Sequence, residues 1–302
     1  MRCNSWFQML VVMMMLAACA RQNRTFSSAG STAAIAQPAA PSPDSKAHTA
    51  AARALELLDK AIGNRTLVLL GEIHGTQEIP ALVGELVELE ARGGKQMILA
   101  LEVTTREQAI VDRYLMSSGS KADRVALLAG AHWQDAMHDG RDSEAMFVLI
   151  EHVRNLRERG GNIAITLFDP GGDARRNQQM AENLRAIARH SPQATLLVLT
   201  GNVHAMTSAP PWAMFDGGKR IEPPMTAGRY LSDLHPLSIN IDAASGDMWV
   251  CMDGECGAHP VFAHGAGSLT TLEYSKPAES AWDATLTLPR FTASPPAIRT
   301  AH

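Results

Sequence analysis

At 302 residues and 46% hydrophobic, the chain is long enough to bury a large core, as one domain or two small ones. A net charge of −4, a pI near 6.3 and 5% aromatic residues leave no basic stripe and few stacking rings. That balance excludes nucleic acid as a partner and leaves small molecules as the expected ligands.

The N-terminus reads as a targeting segment. Arg2 precedes an apolar run, MLVVMMML over 9–16, of signal-peptide length and too short to span a bilayer. The run ends in Leu16-Ala17-Ala18-Cys19, which resembles a bacterial lipoprotein lipobox. The resemblance implies loss of residues 1–18 and lipid, including palmitate, on Cys19. The chain would then be anchored to a bacterial membrane in the cell envelope, facing the periplasm; several acyl chains on one residue hold stably. Residues 19–45 are rich in Ala, Ser and Pro without apolar periodicity, and read as a flexible tether.

From residue 46 helices and strands alternate. An Ala/Leu-rich helix over 48–62 stops at Gly63, and a strand follows over 66–72. The next helix, 78–94, has Pro80 early and Gly93 after its end, with Ile79, Leu82, Val83 and Leu86 on one face. A second strand spans 96–103, then helical segments 105–117 and 121–130, and a long helix 142–161. A third strand (162–169), a helix (173–190) and a fourth strand (194–201) complete the pattern. Short, nearly all-apolar strands separated by helices predict an α/β fold: a mainly parallel sheet with helices on both faces. After residue 235 the texture becomes strand-rich, over 237–243, 247–253 and 268–274. These read as added strands or a C-terminal β-rich extension closing a domain over 46–275, with a weakly structured tail over 276–302.

Cys251 and Cys256 flank Asp253-Gly254, a favoured two-residue hairpin turn. That register sets the cysteines opposite each other where strands approach most closely, which suits a disulfide in an oxidising compartment.

In a parallel sheet the carboxyl ends of all strands share one edge, where ligands bind. Here the first strand ends in Gly71-Glu72-Ile73-His74, the second in Glu102, the third in Asp169 and the fourth in Gly201-Asn202-Val203-His204. A carboxylate at a sheet edge is costly unless paired, solvated or metal-bound, so three such ends and a fourth closing on a histidine predict a functional pocket. A histidine near its ordinary pKa, oriented by a glutamate, can activate water. The same groups, with Glu72, His74 and His204 as ligands, could instead hold a divalent metal with an open position. Arg176, at the start of the helix after Asp169, could clamp an anion; Asp169 and Asn202 complete the expected substrate-binding set. His132, Trp133 and His138 lie in a loop expected over this edge, either as a lid or as plain surface. No glycine-rich phosphate loop, His-Glu-x-x-His or Gly-x-Ser-x-Gly is present, so neither a nucleotide cofactor nor a serine nucleophile is indicated.

Gly71-Glu72-x-His74, Glu102, the stretch 175–183 and Gly201-Asn202-x-His204-Ala205 together resemble the erythromycin esterase/ChaN-like superfamily, which includes the Tiki/TraB proteins. The match covers roughly 65–206. The resemblance implies three activities: metal-free ester hydrolysis with Glu72, His74 and Glu102; metal-dependent proteolysis through the paired Gly-x-x-His motifs; or haem binding by a lipoprotein tied to iron uptake. One position departs from the esterase pattern, which has an acid where this chain has Asn177. The expected function is an envelope-anchored hydrolase using Glu72, His74, Glu102 and His204, with or without a divalent metal. A haem- or iron-binding lipoprotein without turnover is the alternative.

Overall fold

The computed structural model describes residues 43–135, 138–172, 174–216, 219–252, 255–261, 267–276 and 278–298. The expected signal peptide over 1–18, lipid-bearing Cys19 and most of the 19–45 tether lie outside the described residues.

The first helix, α1, runs Pro43–Ile62, so it begins inside the expected tether. Strand β1 (Leu67–Glu72) is buried along its whole length and leads to α2 (Glu78–Arg92), whose Ile79, Leu82, Val83, Leu86 and Val87 form one buried stripe. Strand β2 (Met97–Thr104) passes through a short 3₁₀ turn to α3 (Gln108–Leu115) and α4 (Lys121–Leu128). Ser120 and Asp123 close a capping box at the start of α4. Ser143 caps α5 (Glu144–Glu158), which is followed by β3 (Ile163–Asp169), α6 (Arg176–His190) and β4 (Thr195–Gly201). A small antiparallel pair, β5 (Met214–Asp216) and β6 (Lys219–Ile221), precedes α7 (Ala227–Tyr230) and β7 (Leu237–Ala243). The hairpin β8 (Asp247–Met252) and β9 (Glu255–Pro260) forms its own two-stranded sheet; β10 (Thr271–Tyr274) and β11 (Ala284–Leu288) come last.

Seven strands form the main sheet in the order β10-β11-β7-β1-β4-β2-β3. Every neighbouring pair is parallel except β10–β11. Side chains alternate across it: Val68 and Leu70 face a core shared with α1 to α5, whereas Leu67 and Leu69 face a second core shared with α6 and α7. The expected mainly parallel sheet covered on both faces is therefore present. Cys251 pairs with Cys256 across the β8–β9 hairpin, joined by a disulfide with Cα atoms 3.9 Å apart.

The weakly structured tail expected over 276–302 is corrected by the structure. Strand β11 lies inside the main sheet, between β7 and β10, with Ala284, Leu286 and Leu288 buried. Beyond it Phe291 is fully buried, and the chain continues as a strap between two turns. Thr292 accepts from the Gln77 N–H, and the Ser294 N–H donates to the Gly75 carbonyl, both after β1. On the other side Pro295 accepts from the Glu144 N–H, and the Ala297 N–H donates to the Asp142 carbonyl, at the start of α5. The strap is held by main-chain bonds that need no hydrophobic pattern, which is why its sequence looks featureless.

Candidate functional site

The carboxyl ends of β1, β2, β3 and β4 deliver Glu72, Glu102, Asp169 and the Gly201–His204 turn to one edge. Glu102 is the hub. Its Oε2 accepts from Thr200 Oγ1 at 2.6 Å and from the Gly201 N–H at 2.7 Å, both on the neighbouring strand. Its Oε1 accepts from Arg176 Nη2 at 2.7 Å and stands 3.9 Å from His74 Nε2 and 3.7 Å from His204 Nε2. The two imidazoles thus share one carboxylate oxygen, as the expected convergence requires.

The charge on this buried acid is matched by two guanidiniums. Arg176 donates through Nε to Asp169 Oδ1 at 2.9 Å and through Nη2 to Asp169 Oδ2 at 2.8 Å, a two-pronged pair. The second cation, Arg141, carries no sequence signal, because it sits in the loop before α5 rather than at a strand end. Its Nη1 lies 3.0 Å from Asp169 Oδ2 and 3.3 Å from Glu102 Oε1, and its Nε donates to Asp139 at 2.9 Å. Burial pushes the Glu102 carboxyl up, but the imidazoles of His204 and His74 and the guanidiniums of Arg141 and Arg176 pull it far below the usual carboxylate range. Asp169 is likewise held low: burial opposes, and Arg176 prevails.

The two histidines differ in what backs them. His74 Nδ1 meets Glu72 Oε1 at 3.0 Å. A carboxylate only accepts, so the proton sits on Nδ1 and Nε2 faces Glu102. Burial lowers the proton affinity of His74, but Glu72, Glu102 and Asp139 outweigh it and the net shift is upward. His204 Nδ1 meets Asn177 Oδ1 at 2.6 Å, and the same oxygen accepts from the Ala227 N–H at 3.1 Å. That second bond identifies the Asn177 atom as oxygen, so His204 also donates from Nδ1. Its Nε2 lone pair then accepts from Arg176 Nη1 at 3.1 Å. A neutral imidazole satisfies this set, and burial drives its pKa downward, with Arg176 and His74 opposing the pull of Glu102.

Close packing fixes these turns. A Cβ on Gly201 would lie 3.0 Å from His74 Nε2, so the missing side chain keeps space beside that nitrogen. Gly75 has φ +73° and Gly140 φ +91°, and a Cβ on Gly140 would fall 2.3 Å from the Gly75 nitrogen. The loop carrying Asp139 and Arg141 thus lies directly against the His74 turn. The disulfide hairpin braces both: Trp249 N–H donates to the Gly75 carbonyl and Cys251 N–H to the His138 carbonyl.

Of the expected lid residues, Trp133 is a core residue, His132 Nε2 meets the Arg141 carbonyl at 3.2 Å, and His138 Nδ1 pairs with Asp142. His132 and His138 thus anchor the Arg141 loop. Asn202 contributes through its main chain: its N–H donates to the Glu72 carbonyl at 3.0 Å and its carbonyl accepts from Trp282 Nε1 at 2.8 Å.

The metal set expected from sequence, Glu72, His74 and His204, does not assemble. Glu72 is bonded to His74 rather than turned with it toward a common point, and both His204 nitrogens are engaged. Among the described residues no group of three His, Cys, Asp or Glu side chains is arranged to hold an ion. Arg141 and Arg176 supply the positive charge that a metal would bring. His204 offers haem no open axial nitrogen, because its Nε2 accepts from Arg176.

No protein-family model matches the sequence, and no curated protein resembles it significantly in sequence. Solved structures do resemble it in fold. A Bacillus cereus protein aligns with TM-score 0.57 at 11% identity, covering 81% of this chain and 93% of its own. A mutant of the erythromycin esterase EreC, in its open conformation, gives 0.57 at 11%, covering 81% and 95%. A succinoglycan biosynthesis protein gives 0.51 at 13%, covering 80% and 91%. The chain therefore has the erythromycin esterase/ChaN-like fold that its strand-end motifs resemble.

Proposed function

We propose that this chain, with its erythromycin esterase-like fold, is an envelope-anchored hydrolase that cleaves esters by water attack at the Glu72–His74 pair. The observation that carries this reading is the Nδ1–H···Oε1 bond of 3.0 Å, which leaves the His74 Nε2 lone pair as a base beside the space kept by Gly201. His74 takes a proton from water as the hydroxyl oxygen bonds to the ester carbonyl carbon. Glu72 and Glu102 stabilise the resulting imidazolium. Arg176 Nη1 donates to a neutral acceptor, His204; an anionic oxygen is the stronger acceptor and would draw that donor as charge develops on the carbonyl oxygen. Collapse of the adduct expels the alkoxide, which recovers the proton from His74. That an erythromycin esterase shares the fold supports a pocket of this architecture performing such chemistry.

The test is hydrolysis of a panel of carboxylate esters and lactones by the purified protein in detergent. His74→Ala is expected to lower kcat by about 10²–10⁴-fold, the usual yield of a positioned base. Anchoring belongs to the same reading: removal of residues 1–18 and lipid on Cys19 put the site on the periplasmic side of a membrane. Labelled palmitate should enter the wild type and not Cys19→Ala. A tight haem Soret shift indifferent to Glu72→Gln and Glu102→Gln, with no ester turned over, would overturn the reading in favour of a binding lipoprotein.

A further inference from the structure

The segment after β4 exposes several large apolar side chains. Val203, Trp212, Met225 and Tyr230 are each more than a third exposed, at 38%, 43%, 43% and 36%. Gly228 N–H donates to the His204 carbonyl at 2.9 Å, and a Cβ on Gly228 would fall 2.5 Å from the Met206 oxygen. Thr226 Oγ1 donates to the Met206 carbonyl, and Arg229 Nη1 donates to the Pro224 carbonyl at 2.9 Å. Large apolar side chains held at the surface by a fixed backbone are not explained by fold stability.

They line a pocket. It is a half-open cleft of about 240 Å³ between the start of α6, contributing Arg175, Asn177 and Gln178, and the loop carrying Pro224, Met225 and Tyr230. That lies below the roughly 300–1,000 Å³ of sites that take a whole drug-sized ligand, so it suits one substituent. One wall is polar and the other apolar. Asn177 belongs both to this pocket and to the site, since its side chain holds His204 Nδ1 at 2.6 Å. A group in the pocket is thus one side chain away from His204.

We infer that this pocket receives the apolar substituent of the ester, a short alkyl chain or single aromatic ring, and so sets chain-length preference. The inference rests on the water-activating reading. It is tested with p-nitrophenyl acetate, butyrate and hexanoate and the full-length protein in detergent, comparing wild type with Met225→Glu and Tyr230→Ser. Each buried methylene favours binding, so wild-type kcat/KM is expected to rise by about tenfold from acetate to butyrate. Met225→Glu places a charge on the apolar wall and should bring the butyrate-to-acetate ratio close to one; Tyr230→Ser should lower it by a smaller factor. Turnover with a flat wild-type series, or a ratio unmoved by both substitutions, overturns the pocket and leaves water activation standing. No turnover of any ester by wild type overturns the reading itself, and the pocket with it.

Discussion

The turn after β1 and the turn after β4 hold their histidines at nearly equal distances, 3.9 and 3.7 Å, from one oxygen of Glu102. Their proton affinities nevertheless move apart, up for His74 and down for His204. The difference lies behind the rings. His74 leans on a carboxylate, and His204 on a carboxamide whose oxygen is already shared with a backbone N–H. Arg176 then faces the Nε2 of His204, whereas the nearby Asp139 adds negative charge around His74. Two titratable groups pushed in opposite directions mark a division of labour: His74 trades protons, and His204 stays neutral and holds the arginine.

The comparison breaks most completely if the shared acid goes. Glu102→Ala leaves Arg141 and Arg176 facing each other across Asp169 alone. Loss of one member of a buried ion cluster is expected to cost about 3 kcal/mol by chemical denaturation, with hydrolysis abolished. Glu72→Gln acts next, and on one side only. A base must be neutral, so activity should rise with pH through a midpoint above the ordinary 6.5 of histidine. Removing the carboxylate should move that midpoint down and lower the plateau by at least about tenfold, as read from a kcat pH profile. The smallest effect is expected from Asn177→Asp, which gives His204 the kind of partner His74 has. Asp can still accept from Ala227, so the fold should hold, while the His204 titration followed by NMR moves upward toward that of His74.

The same contrast has a sign in stability. The upward shift of His74 contributes fully below about 6.5 and fades as pH rises through its folded value. The downward shift of His204 works the other way: below about 6.5 the unfolded chain takes up the proton first, and stability falls until the folded value is reached. Asn177→Asp should therefore reduce the loss of stability between pH 6.5 and its own acid limit, measured as urea midpoints.

Much of this site is legible in sequence because strand ends are. Glu72, Glu102, Asp169 and His204 each close an apolar run, and a parallel sheet sends such residues to one edge. Arg141 is not legible, since it follows no strand and reaches the cluster only because Gly140 packs on Gly75. Asn177 is visible as a departure from the resembled pattern, but its consequence for His204 depends on a bond to Ala227, fifty positions away. In β11 the alternation of Ala284, Leu286 and Leu288 with Thr285 and Thr287 was a usable signal, masked by Pro-rich surroundings.

The strap after β11 bears on how damage at one place would spread through the molecule. Its main chain ties the Gly75 and Asp142 turns together, although it lies more than 150 positions beyond either in sequence. A cut between β11 and the strap would leave every reactive group in place but undo the fastening between the two turns that carry His74 and Arg141. A single proteolytic nick there would therefore silence the site without touching a reactive residue.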